Sequence, residues 1–199
     1  GTTRFWKRQL SSLPRYKVGV LKASGKLLCE PMLGQLTDEV AYFATSTGLY
    51  LPLVIGGGVQ YDSLDSYSGA GKVNGIRVSS QSMMDDILPI ALENQSTVVE
   101  SLKDSGVDAE AIPIDVISAS MHGEEISQGD EGGYHAGEKV DTGLVGDITD
   151  VSTKLIVQSI YQEKVPVITH LGKVRTQEGL EKIVNINATT VAKEVIKAL

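Results

Sequence analysis

The chain has 199 residues, 41% of them hydrophobic and 22% charged, with a formal net charge of −7. That composition is ordinary for a globular domain, and the length suits one domain with a real core. The acidic balance argues against nucleic acid as the main partner, because neutralising phosphates takes a cationic face. No apolar run approaches the roughly 18 residues of a membrane span, so no membrane partner is expected. The lone Cys29 excludes an internal disulfide and suits a reducing compartment.

The segment Gly1 to Lys17 is positive and free of acids, as a mitochondrial presequence would be, but no long Ser/Arg-rich tract follows. Phe5, Trp6 and Leu10 recur at helical spacing and predict a short amphipathic helix over Arg4 to Leu13. Residues 1–16 then read as helix and linker, and 17–199 as the domain. A first strand is expected over Lys17 to Lys22. A helix from Pro31 to Gly48 should follow, with Leu36, Val40, Phe43 and Ala44 on its inner face. Leu51 to Ile55 reads as the second strand, Val59 to Tyr67 as helix and Lys72 to Val78 as extended chain. Ser80 to Asp104 is a long helical pattern in which Pro89 demands a kink or break. Ile112 to Ser118 alternates like a third strand, and the glycine-rich stretch from Met121 to Val140 reads as a hairpin or mobile loop. Asp150 to Tyr161 is expected to be helical and Val165 to Thr169 to be a fourth strand. After the polar stretch Lys173 to Glu181, Val191, Ala192, Val195, Ile196 and Leu199 form the apolar stripe of a last helix. Strands alternating with helices predict an α/β fold, a three-layer αβα sandwich around a mainly parallel sheet.

Two strands empty into glycine. Leu53-Val54-Ile55 runs into Gly56-Gly57-Gly58, and Val18 to Lys22 runs into Ala23-Ser24-Gly25. Without a Cβ, such turns bring backbone N–H groups close to an anion, and a following helix start adds its dipole. The pair, one turn led by Lys22, suggests a phosphate or carboxylate site. A solvated strand-end lysine and plain turn geometry are the alternative readings.

Further segments resemble the amino acid kinase family, and within it the N-acetylglutamate kinases. Lys22-Ala23-Ser24-Gly25 stands where that family has a lysine and two glycines, and Gly56-Gly57-Gly58 matches its second glycine turn. Val73 to Val78 is similar to an Asn/Asp-Gly-Leu-Arg-Val segment. Thr142 to Val151 resembles a Gly-Leu-Val-Gly-Glu-Val-Thr stretch, and Val184 to Ala188 an Asn-Val-Asn-Ala-Asp motif. The kinase half of N-acetylglutamate synthase/kinase fusions is an equally close cousin. Ser24 replaces one glycine, and Thr189 stands where the family has an aspartate that positions its catalytic lysines.

The resemblance implies an arginine-biosynthesis domain that binds an N-acyl amino acid for phosphoryl transfer to its side-chain carboxylate, with ATP and Mg2+. The family's nucleotide half falls beyond this chain, so ATP binding by this chain is doubtful. A homo-oligomer is expected, with a cytoplasmic location, or the mitochondrial matrix in a eukaryote. Lys22, Gly25 and Gly57 would act on the transferring phosphoryl group. Gly56, Gly57, Gly58, Arg77, Asn185 and Asn187 would bind the acceptor. Arg77 offers a planar fork for a carboxylate, although a surface arginine is the alternative. Asn187 is equally placed to cap the last helix. Thr189 cannot hold lysines by charge, which points to weak activity, or to a non-catalytic amino-acid-sensing or assembly domain. His122, His135 and His170 lack metal-ligand spacing. Glu124-Glu125 and Asp130-Glu131 read as a solvated loop, Cys29 as a small buried side chain, and Met83 and Met84 as core or interface filler.

Overall fold

The computed structural model describes residues 18–49, 51–57, 59–64, 71–74, 76–129, 134–176 and 179–199. The expected leading helix, Gly58 and Asp130-Glu131 lie outside them. The chain is α/β. Strands β1 (Leu21–Ala23), β2 (Leu53–Ile55), β10 (Val165–Ile168) and β5 (Ala109–Ala111) pair in that order, every pair parallel. All three residues of β2 are buried, as a central parallel strand covered on both faces requires.

Alternation along the strands divides the core. Leu53, Ile55, Val165 and Val167 face helices α1 (Met32–Thr47) and α3 (Gln81–Asp104). Val54 and Ile168 face α4 (Lys154–Tyr161) and α5 (Ala188–Ala198). These are the three layers. Helix α1 buries Leu33, Thr37, Val40 and Ala41 at helical spacing and ends at Gly48, whose φ of 63° makes the left-handed cap. Ser80 caps α3 by accepting from the Met83 N–H at 3.2 Å. Pro89 does not break α3, which runs through it, so of the expected kink or break the break is absent. The proline lies on the exposed side, where water can serve a carbonyl that has lost its helical donor. Buried Gln95 on α3 donates to the Ile112 carbonyl at 2.9 Å and the Val167 carbonyl at 2.7 Å, stitching the helix to the sheet. Gln95→Leu should lower stability by about 1–3 kcal/mol, because a buried carbonyl loses its partner. Equilibrium urea unfolding reads this directly, and an unmoved midpoint would refute it.

A second sheet, which periodicity does not foretell, has the order β12 (Glu181–Asn185), β11 (Leu171–Arg175), β6 (Ile117–Met121), β9 (Gly146–Val151). It is mixed: β11 pairs antiparallel with β12 and parallel with β6, and β6 pairs antiparallel with β9. Three expectations are corrected here. Of the strand read over Ile112 to Ser118 only Ile117-Ser118 is extended, as the start of β6; β5 ends at Ala111, and a 3-10 turn at Ile114–Val116 lies between the two strands. Pro113, having no N–H, caps that turn and ends the first ladder. The helix read from Asp150 begins only at Lys154, because Gly146–Val151 is held as a strand against β6. The polar stretch from Lys173 is largely a hairpin, with Lys173 Nζ 2.9 Å from Glu181 Oε2 across it.

The remaining elements are short. Helix α2 (Val59–Asp62) follows the second glycine turn, and β3 (Lys72–Val73) with β4 (Ile76–Arg77) forms a hairpin. Strands β7 (Glu124–Ile126) and β8 (Lys139–Asp141) form another, so the stretch from Met121 to Val140 contains a hairpin. Met83 and Met84 are core residues, packed with Tyr61, Ile87 and Leu171. Two side-chain expectations fail. Cys29 is half-buried, accepting from Gln60 Nε2 at 3.4 Å. In α5 only Val191 and Val195 are fully buried, while Ile196 and Leu199 are exposed. No helix among the described residues is long and apolar enough to cross a membrane.

Candidate functional site

A cavity of about 360 Å³ opens beyond the carboxyl end of β2, where ligands bind in open parallel sheets. One wall is the Gly56-Gly57 turn, and another is Asn187, Ala188 and Thr190 at the start of α5. The β3–β4 hairpin contributes Lys72, Ile76 and Arg77. His122, Asp147 and Asn185 close the far side. Volumes of this order suit a small metabolite.

The two glycine turns adjoin. The Gly56 N–H donates to the Ala23 carbonyl at 3.1 Å, and the Gly25 nitrogen lies 3.9 Å from where a Gly56 Cβ would stand. Gly57 is buried, and a Cβ there would come within 1.7 Å of the Tyr61 ring, so only glycine lets that ring pack against the turn. Gly56 and Gly57 line the cavity. Lys22 stands exposed on β1 outside its wall, with Gly25 buried one turn further on. Arg77 and Asn185 are brought together, although 108 positions separate them. Asn185 Nδ2 donates to Ser79 Oγ at 3.2 Å, and that hydroxyl donates to the Arg77 carbonyl at 3.1 Å. Asn187 lines the cavity and also caps α5, its Oδ1 accepting from the Thr189 N–H at 2.8 Å. Thr189 itself is exposed and off the cavity wall.

Sequence reasoning misses further polar residues of the site, Lys72 among them. His122 and His170, widely spaced in sequence, line the same cavity with Tyr61 and Asp147. His170 stands two residues beyond the carboxyl end of β10 at Ile168, a position that could signal a site. His122 has one partner, Glu125, three residues on, but the other, Asp147, is 25 residues away, so the cluster is not marked locally. Burial pushes the His170 ring down to about 4, against a weaker favourable contact from the Ile55 backbone. Its Nε2 is 3.5 Å from the Tyr61 hydroxyl, and among the described residues its buried Nδ1 makes no hydrogen bond. For His122, burial opposes the charge, but hydrogen bonds to Asp147 and then Glu125 outweigh it and raise the pKa above 6.5. Its Nδ1 lies 2.8 Å from Asp147 Oδ2 and its Nε2 2.9 Å from Glu125 Oε1. Glu124 pairs with Lys139 and Glu125 with His122, so neither acid of that pair is merely solvated.

The arrangement places the side chains of Lys72 and Arg77, the Gly56-Gly57 turn and a side-chain amide around a small volume. It suits a ligand with carboxylates and an amide. Among the described residues no group of three or more His, Cys, Asp or Glu is placed to hold a metal ion.

No family model matches the chain. Over 187 residues it is 29% identical to the acetylglutamate kinase of Cutibacterium acnes, an overlap of 90% of this chain and 58% of that protein. The chain resembles the acetylglutamate kinases along most of its length. A second such kinase, from Xanthomonas campestris, is 28% identical over 194 residues, 96% of this chain and 41% of its own length. The chain therefore spans roughly half of the curated relatives it matches. Among solved structures, the N-acetylglutamate synthase of Neisseria gonorrhoeae complexed with coenzyme A and N-acetyl-glutamate superposes with a TM-score of 0.74 at 18% identity. That match covers 97% of this chain and 42% of the other, and at such identity it speaks for the fold alone.

Proposed function

We propose that this chain is the acceptor-binding part of an acetylglutamate-kinase-like protein of arginine biosynthesis, and that its cavity takes an N-acyl amino acid, N-acetylglutamate first. The observation that carries the reading is the convergence of the Gly56-Gly57 turn, Arg77 and Asn185 on one cavity of metabolite size. Arg77 would clamp a carboxylate, Asn185 would bond the acyl amide or the second carboxylate, and the Gly57 amide would face the carboxylate to be phosphorylated. Lys22, on the neighbouring turn, would meet the phosphoryl oxygens. Gly58 would extend the glycine cradle, and Asn187 would add a contact at the start of α5.

ATP with Mg2+ is implied by the resemblance, but the described residues do not fit that group on their own. The cavity is of the size of an amino-acid derivative, and His122 engages both neighbouring carboxylates, Asp147 and Glu125, which a bound cation would need. With Thr189 in place of an organising carboxylate, phosphoryl transfer by this chain alone is expected to be very weak. A second reading, a sensing or assembly domain that keeps the pocket without the chemistry, is favoured by that same threonine. The proposal includes a homo-oligomer, and a cytoplasmic or matrix location.

Titration calorimetry with N-acetylglutamate should show saturable binding by the chain. Arg77→Ala should weaken it about 100-fold, the order for losing a two-pronged charge-assisted contact. Absence of binding by the unaltered chain would sink the reading. Binding of N-acetylglutamate without ATP favours the sensor, whereas binding of both restores the kinase.

A further inference from the structure

The segment carrying the cavity's cations is tied to neighbouring strands by a chain of polar side chains in which His122 is central. His122 leaves the end of β6 and is held between Asp147 at the start of β9 and Glu125 on β7. Glu125 Oε2 in turn accepts from Asn74 Nδ2 at 3.0 Å, in the turn of the β3–β4 hairpin. Asn74 Nδ2 also donates to the Ile126 carbonyl, and Asn74 Oδ1 accepts from the Gln128 N–H, each at 3.0 Å. The hairpin so anchored bears Lys72 and Arg77, which face the cavity. We propose that His122 is a positioning residue: its charged ring fastens the β3–β4 hairpin through Glu125 and Asn74, and thereby sets how firmly an acidic ligand is held.

The charge matters because of donor count. An imidazolium donates through both nitrogens and satisfies both carboxylates. A neutral ring keeps one N–H, so either Asp147 or Glu125 then faces a lone pair. The groups around the ring are Asp147 from β9, Glu125 from β7, and Lys72 and Arg77 from the hairpin. Asp141 stands at the end of β8, its Oδ1 accepting from the Gly143 N–H. The Glu124–Lys139 pair spans β7 and β8, and His170 stands with Tyr61 elsewhere on the cavity wall. The two cations favour the neutral ring and the carboxylates the charged one; the carboxylates are in direct contact and prevail. Loss of the charge loosens Glu125, and through it the hairpin.

The ligand-facing half of this inference rests on the function proposed above, so the test has two arms. In the first, without ligand, hydrogen exchange over residues 71–79 should quicken about 10-fold in His122→Ala, the order for losing a charge-assisted contact. Amides of α3 and β10 should stay unchanged. In the second, the affinity for N-acetylglutamate should fall about 10-fold from roughly pH 6 to roughly pH 9 in the unaltered chain and be nearly flat in His122→Gln. Should His122→Ala not fold, Glu125→Gln serves for the exchange comparison. Equal exchange in variant and parent overturns the tie. Loosened exchange with parallel pH profiles overturns the role of the charge. If the unaltered chain binds nothing at either pH, the functional reading fails, while the exchange arm still decides the tie.

Discussion

Gly143→Ala should destabilise this domain by about 3–5 kcal/mol, well beyond the usual effect of one added methyl group. Two costs coincide. The residue sits at φ +69°, where an L side chain is strained, and its Cβ would lie 2.4 Å from the Ser79 carbonyl oxygen. That oxygen cannot retreat. The Ser79 N–H donates to the Thr142 carbonyl at 3.0 Å, and its carbonyl accepts from the Leu144 N–H at 2.7 Å. Its hydroxyl links Asn185 to Arg77, so displacing it also pulls apart two residues of the site. Gly106→Ala separates the two costs. Its φ is +85° with nothing within 4 Å of the added methyl, and it should lose only the strain, about 1–2 kcal/mol. Urea unfolding of both variants checks this, and equal destabilisation would mean that the close approach to Ser79 is relieved elsewhere.

Acid should destabilise the domain through His170 by about 3 kcal/mol between pH 6.5 and about 4. The unfolded chain takes up a proton near 6.5, while the buried native ring refuses it until about 4. Across that window the unfolded state binds more protons, so stability falls as pH falls, and the loss is complete below the native value. Carboxylates add their own acid sensitivity, so the test is a difference. Unfolding free energies of the parent and of His170→Gln, measured from neutral pH down to about 4, should converge by that amount. Parallel curves would mean that the ring is accessible to protons in the native state. His122 works in the opposite sense. Its raised native pKa makes its contribution complete below 6.5 and lost as pH rises through the native value. The combined contribution of the two rings is therefore largest near 6.5.

The site is legible in the sequence where chemistry and local geometry coincide. Gly56-Gly57 follows a recognisable strand, and Arg77 and Asn185 sit in motif-like segments; all four line one cavity. Lys22 follows the same logic, yet it stands outside that wall. Asn187 carries two readings, and the structure gives it both a capping bond and a place in the wall. His122 has no metal-type spacing to mark it, because its partners are carboxylates on two other strands.

From the amino-acid order alone came the layering of the domain: apolar residues repeat every three or four positions in α1 and α3, and β2 is apolar throughout. Those are properties of neighbours along the chain. Pairing of β9 with β6 and of β11 with β12, the adjoining of the two glycine turns, and the knot at His122 were decided by tertiary structure. Each depends on groups remote in sequence whose hydrogen bonds and charges count only once the backbone has brought them within 3 Å or so.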